Sequence, residues 1–84
     1  MSLKKIFESL EAERNARRNH DGGVLLLRSP EHRIAEITKH LGDAWAGGNL
    51  RDQMVKVAAA AIEAIEQHDI SQAEQAAFYA TTGE

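Results

Sequence analysis

Glu36, His40 and Asp43 fall at i, i+4 and i+7, a spacing that brings side chains to one side of a helix. Two carboxylates and an imidazole presented together offer ligands to a divalent ion, as in helical bundles whose metal sites project inward. The same letters describe a solvated polar edge with a Glu-to-His contact, and both readings stay open. Glu63, Glu66 and Asp69 recur at i, i+3 and i+6 near the predicted end of a long helix, where the negative dipole invites a cation or a basic partner, although plain surface solvation at a small cost is the more ordinary reading. Arg14 and Arg18 are i, i+4 neighbours with Arg17 between them and His20 following. This cluster could bind a phosphate, or it could pair with Glu11, Glu13 and the acidic residues of the second half.

Other chemistry is poorly supported. The chain has no GxSxG, no Walker-type glycine loop, no HExxH and no cysteine, so neither a nucleophilic hydrolase nor a zinc-thiolate site is indicated. The net charge is -3, whereas a general nucleic-acid binder needs a basic excess to neutralise phosphates. That charge is uneven: residues 1–33 carry seven basic and five acidic groups, and residues 34–84 carry three and eight. A helix-turn-helix could be sought around Gly47-Gly48, but the following helix is Ala-rich with only Arg51 and Lys56 as cations, so no DNA partner is expected.

These groups must be positioned by helices. Leu3, Ile6, Phe7 and Leu10 form an amphipathic stripe that Ser2 can cap, and the helix should stop near Arg18 before the turn residues Asn19-His20-Asp21-Gly22-Gly23. Val24 to Leu27 read as an apolar loop packed on the core. Ser29-Pro30-Glu31 is the clearest helix start, with a capping hydroxyl, a proline where no N–H is needed and an acid at the positive end of the dipole. Ile34, Ile37, Leu41, Ala44 and Trp45 mark its apolar face, and Gly47-Gly48 ends it. Asn49 begins a third helix, Leu50 to His68, which forms a hairpin with the second and whose apolar rows place it at the centre. His68-Asp69 reads as a break, and Ser71-Gln72-Ala73-Glu74 as the capping box of a short fourth helix reaching Ala80, with 81–84 frayed. Trp45, Phe78 and Tyr79 are assigned to core or interface packing.

The expectation is a single all-α domain over 1–84, with residues 1–3 as possible vector-derived additions: three main helices plus a short C-terminal one. So short a chain buries only about 60–65% of its unfolded surface, and the long third helix has more apolar surface than its companions can cover. A homo-oligomer, dimer or tetramer, is therefore expected, with any ligand site at a subunit boundary. Lys4 and Lys5 are followed by only Ile6 and Phe7 before Glu8, so neither a signal peptide nor a membrane span is expected, and the expected location is cytoplasmic.

The stretch Leu50-Arg51-Asp52-Gln53-Met54-Val55-Lys56-Val57-Ala58-Ala59-Ala60-Ala61-Ile62-Glu63-Ala64-Ile65-Glu66 resembles the long core helix of small MazG-like proteins of bacteria and phages. Ser29-Pro30-Glu31, Ile37 to Ala44, Glu11 to Arg14 and His20-Asp21-Gly22-Gly23 fall in a similar order, so the resemblance covers residues 4–68. It implies an all-α nucleotide pyrophosphohydrolase fold in which helices of two or more subunits build a Mg²⁺ site that cleaves a nucleoside triphosphate to monophosphate and pyrophosphate. Joined to the spacing read above, it makes Glu36 and Asp52 the candidate catalytic carboxylates, Glu36, His40 and Asp43 the candidate metal ligands, and Lys56, with Arg14 and Arg18 of the basic cluster, the candidate nucleotide contacts. The pattern also departs from the family's Glu-x-x-Glu and Glu-x-x-Asp pairs: the corresponding places hold Glu36 and Lys39, then Gln53 and Lys56. Lysine and glutamine cannot complete a set of hard oxygen anions around Mg²⁺. Lys56 in the metal's place would give nucleotide binding without hydrolysis. The alternative is a non-catalytic helical oligomerisation or protein-interaction module of the kind a phage could encode.

Overall fold

The computed structural model describes residues 2–82, with side chains as far as Ala77. Three helices make up the chain: α1 (Leu3–His20), α2 (Pro30–Trp45) and α3 (Leu50–Thr82). The caps are those the residue types dictate. Ser2 Oγ accepts from the Lys5 N–H at 3.3 Å, Ser29 Oγ from the His32 N–H at 3.1 Å, and Asn49 Oδ1 from the Asp52 N–H at 2.9 Å. At their other ends α1 and α2 close in the same way. Gly22 and Gly47 take φ of +78° and +106°, and the next N–H, of Gly23 or Gly48, reaches back to the carbonyl of Arg18 or Asp43. Such a left-handed turn is cheap only for glycine, which is why the glycine pairs punctuate the chain.

The all-α expectation is met, but the separate fourth helix is not: α3 runs 33 residues without interruption through His68-Asp69 and Ser71. No glycine or proline lies between Leu50 and Thr82, and a capping sequence stops a helix only where something breaks the preceding turn. Glu63, Glu66 and Asp69 therefore lie in mid-helix and do not face a C-terminal dipole. Phe78 and Tyr79, expected to anchor packing, lie outside the described side chains. Val24 to Leu27 form an irregular segment in which only Leu25 and Leu26 are half-buried.

Helix α3 is the centre. α1 packs along it in parallel, with Ser9 beside Arg51 and Arg17 beside Glu63, and α2 packs antiparallel, with His40 beside Gln53 and Arg33 beside Glu63. The backbones of α1 and α2 do not approach each other. Ala59 and Ala60 are the only fully buried apolar residues described, at 0% exposure, because small side chains let a helix come close on either flank of α3. Trp45 is 93% exposed and is no part of a core within the protomer: it sits on the last turn of α2, beyond the α3 contact. No described helix is long and apolar enough to cross a membrane.

Replacing Ala59 with Leu should overpack this close approach and cost about 1–3 kcal/mol. The expected result is a lower urea midpoint at unchanged slope, followed by helical circular dichroism at fixed protein concentration; an unchanged midpoint would show that the alanines are not where the helices meet.

Candidate functional site

Three carboxylates from three helices converge on one guanidinium. Arg17 donates from Nε to Glu63 Oε1 at 3.0 Å and from Nη2 to Glu63 Oε2 at 3.3 Å. Its Nη2 also lies 2.7 Å from Glu36 Oε2 on α2, and its Nη1 lies 3.7 Å from Glu13 Oε2 one turn back on α1. Glu63 takes a second cation, Arg33 of α2, whose Nη1 donates to Oε2 at 3.1 Å. Arg33 is only 5% exposed. Its remaining donors go to Gln67 Oε1, at 3.0 Å from Nη2 and 3.3 Å from Nε, and to the Leu26 carbonyl.

Gln67 extends this network into the loop between α1 and α2. Its Oε1 accepts from the Arg28 N–H at 2.9 Å and its Nε2 donates to the Arg28 carbonyl. Burial alone would weaken the Arg17 charge, but the hydrogen bond and field of Glu63, then those of Glu36, outweigh it and raise its pKa above the ordinary arginine value. The sign is simple: a cation with a raised pKa contributes its full stabilisation below the ordinary arginine range and loses it only above that range. Arg17 is a fixed charge at every physiological pH.

The expected site residues fall into separate places. Glu36 is held by Arg17 and lines a depression of about 350 Å³ with Glu13, His20, Asp21, Arg28 and Glu63. His40 Nδ1 is 3.2 Å from Gln53 Oε1 across the α2/α3 seam. Asp43 pairs with Lys39 at 3.0 Å, one turn away on the same helix. Arg14 and Arg18 both meet Glu66, at 2.9 and 3.8 Å, so they pair with the acidic second half as the more ordinary reading of that cluster anticipates. Asp52 and Lys56 do come together, in a second depression of about 440 Å³ between α1 and α3, lined also by Ser9, Glu13 and Arg51.

Within one protomer these donors do not fit a Mg²⁺ ion. Glu36 and Asp43 are each paired with a cation of the protein, and among the described residues no group of three or more His, Cys, Asp or Glu side chains could hold a metal. The second depression is different in kind. Arg51 Nη2 donates to Ser9 Oγ at 3.0 Å, while the half-buried Lys56 makes neither ion pair nor hydrogen bond among the described residues. A positive group held beside a hydroxyl and a guanidinium can receive an anionic oxygen, against the repulsion of the two carboxylates Glu13 and Asp52 in the same lining.

Arg33 and Gln67 were not marked by charge spacing. The signal that points to Arg33 is positional: it lies one turn before Ile37 and two before His40 and Leu41, on the edge of the stripe that faces α3. Gln67 follows Glu63 by one turn and carries no signal of its own. No protein-family model matches the chain, and no curated protein or solved structure shows significant similarity to it.

Replacing Arg17 with Met should leave Glu63 and Glu36 short of a cation and cost about 2–4 kcal/mol, somewhat below the range for a fully buried pair because the network is partly solvated. Lys39→Met, which breaks an exposed i, i+4 pair, should change stability by no more than about 0.5 kcal/mol. Equal effects of the two in denaturant unfolding would deny the network its special place.

Proposed function

We propose that the chain is a MazG-like nucleotide-binding protein that holds the phosphates of a nucleoside triphosphate and does not hydrolyse it. The observation that carries this reading is Lys56, a half-buried cation without a partner among the described residues, beside Arg51 and Ser9. A phosphate chain supplies an anionic oxygen to Lys56 and Arg51, which recognise it as point charge and as fork. Mg²⁺ would arrive as the counter-ion of the nucleotide, because the family's ligand positions hold Lys39, Gln53 and Lys56, and because Glu36 is engaged by Arg17. The absence of a membrane-spanning helix among the described residues is consistent with action on a dissolved nucleotide in the cytoplasm.

A second reading, self-association into a helical oligomer, is favoured by a separate observation: Ala59 and Ala60 are the whole of the buried apolar core described. The two readings are compatible, since one concerns a recess and the other the missing core.

Calorimetric titration with a panel of NTPs and dNTPs, with and without Mg²⁺, tests the binding reading. Wild-type protein is expected to bind, and Lys56→Met to weaken binding about 10- to 100-fold, the loss of a charged hydrogen bond. A flat response to every nucleotide would overturn it. Pyrophosphate release with Mg²⁺ or Mn²⁺ is expected to stay at background; turnover that Glu36→Gln abolishes would restore a catalytic Glu36 and a hydrolase.

A further inference from the structure

The arrangement of the three helices is two-sided. On α2, Glu36 points to the side where Arg17 gathers its carboxylates, and Ile34 and Leu41 lie well over a quarter-turn away on the opposite side, exposed. On α3, Glu63 marks the polar side, and the row Leu50, Met54, Ala61, Ile65, spaced i, i+4, i+11, i+15, marks the other. That row is open: Leu50 is 66% and Ile65 59% exposed. Next to its first half, Ile6 and Leu10 of α1 join Leu50, Met54 and Ala58 around an apolar recess of about 390 Å³. One side of the protomer is thus closed by charge, and the other leaves its apolar side chains uncovered.

We propose that a second copy of this chain covers the apolar side, in a two-fold dimer whose α3 helices cross antiparallel near Val57 and Ala58. This rests on the self-association reading and gives it a face and a direction. Three observations select a second copy as the occupant.

The first is area. The chain exposes 6294 Å², whereas a folded monomer of this mass exposes about 5,000 Å². The excess is roughly 1,300 Å², and an obligate homodimer buries on the order of 1,000 Å² or more per subunit.

The second is self-complementarity. Antiparallel pairing about 57–58 sets Met54 against the small Ala61 of the other copy and Leu50 against its Ile65, so bulk meets space and the two large ends pair. The central alanines allow close approach. A self-complementary patch is what a two-fold interface requires.

The third is charge. Ser9 lies level with Arg51, so Lys4 and Lys5 sit about one turn beyond Leu50. The antiparallel register brings them opposite Asp69 of the other copy, whose described partner is only the adjacent His68 at 3.4 Å. A parallel arrangement would place Lys4 and Lys5 beside their own equivalents, which repel.

The natural absence of cysteine allows a direct test. Wild-type protein in light scattering is expected at twice the chain mass, and Ile65→Glu, at a position already exposed in the protomer, at the mass of one chain. Leu50→Cys mixed with Ile65→Cys should give a disulfide-linked heterodimer on mild oxidation, because those positions face each other across copies. Each variant alone should not link, since equivalent positions lie about 22 Å apart along the antiparallel helices, beyond the roughly 7 Å limit for a disulfide. Self-linking of either variant would overturn the antiparallel register. A wild-type dimer that forms no 50–65 link, or that Ile65→Glu leaves intact, would overturn this face while leaving self-association standing; a wild-type monomer would overturn both. Nucleotide titration reads the Lys56 recess separately, so its failure and the failure of the dimer are distinct results.

Discussion

Glu63 carries one negative charge and receives two guanidinium groups, Arg17 from α1 and Arg33 from α2. The rest of the protomer depends on this pairing, because the backbones of α1 and α2 do not approach each other and are positioned relative to one another only through α3 and the ions on its polar side. Charge pairs of this kind are costly to desolvate and are weak sources of net stability. Their geometry is exacting, however. A fork that must meet Glu63 and Glu36 together fixes the rotation of α1, and a second fork that must meet Glu63 and Gln67 fixes the entry of α2. Apolar packing against a run of alanines is permissive about sliding, so the ions set what the core leaves undetermined.

Much of the fold was legible because caps and glycines act locally. Ser2, Ser29 and Asn49 each capped the helix their positions implied, and Gly22 and Gly47 each closed one, since a left-handed turn depends on one residue and its immediate neighbours. The supposed break at His68-Asp69 failed for the complementary reason: those residues weaken a helix only slightly, and without glycine or proline the hydrogen-bond ladder simply continues. The site was read less well. Spacing along one helix placed Glu36, His40 and Asp43 together, but each has its closest partner elsewhere, on α1, on α3 or one turn back. Which cation meets which carboxylate is decided by the rotation of packed helices, a property of no single segment. Arg33 was hidden for the same reason, since a buried arginine on an apolar edge is indistinguishable in sequence from one reaching around to solvent.

The division of charges bears on the nucleotide-binding reading. Most of the protein's cations near α3 are already used: Arg17 and Arg33 on Glu63, Arg14 and Arg18 on Glu66. The carboxylates that the resemblance would assign to a metal are paired likewise, Glu36 with Arg17 and Asp43 with Lys39. Lys56 lies on the same side of α3, two turns before Glu63, and among the described residues it has no such partner, so it is there that an incoming anion would meet a charge without first breaking a pair.

The clamp of Gln67 on Arg28 has a different consequence. A glutamine amide that holds both the N–H and the carbonyl of one loop residue behaves like a rung of sheet pairing supplied by a side chain. The loop is therefore tethered by its main chain, and the side chain at position 28 is released from any duty in holding it. Turn 67 of α3, the first turn of α2 and the segment leading into it form one mechanical piece, so a displacement of α3 at that level would be passed to the loop whatever residue other than proline occupied position 28.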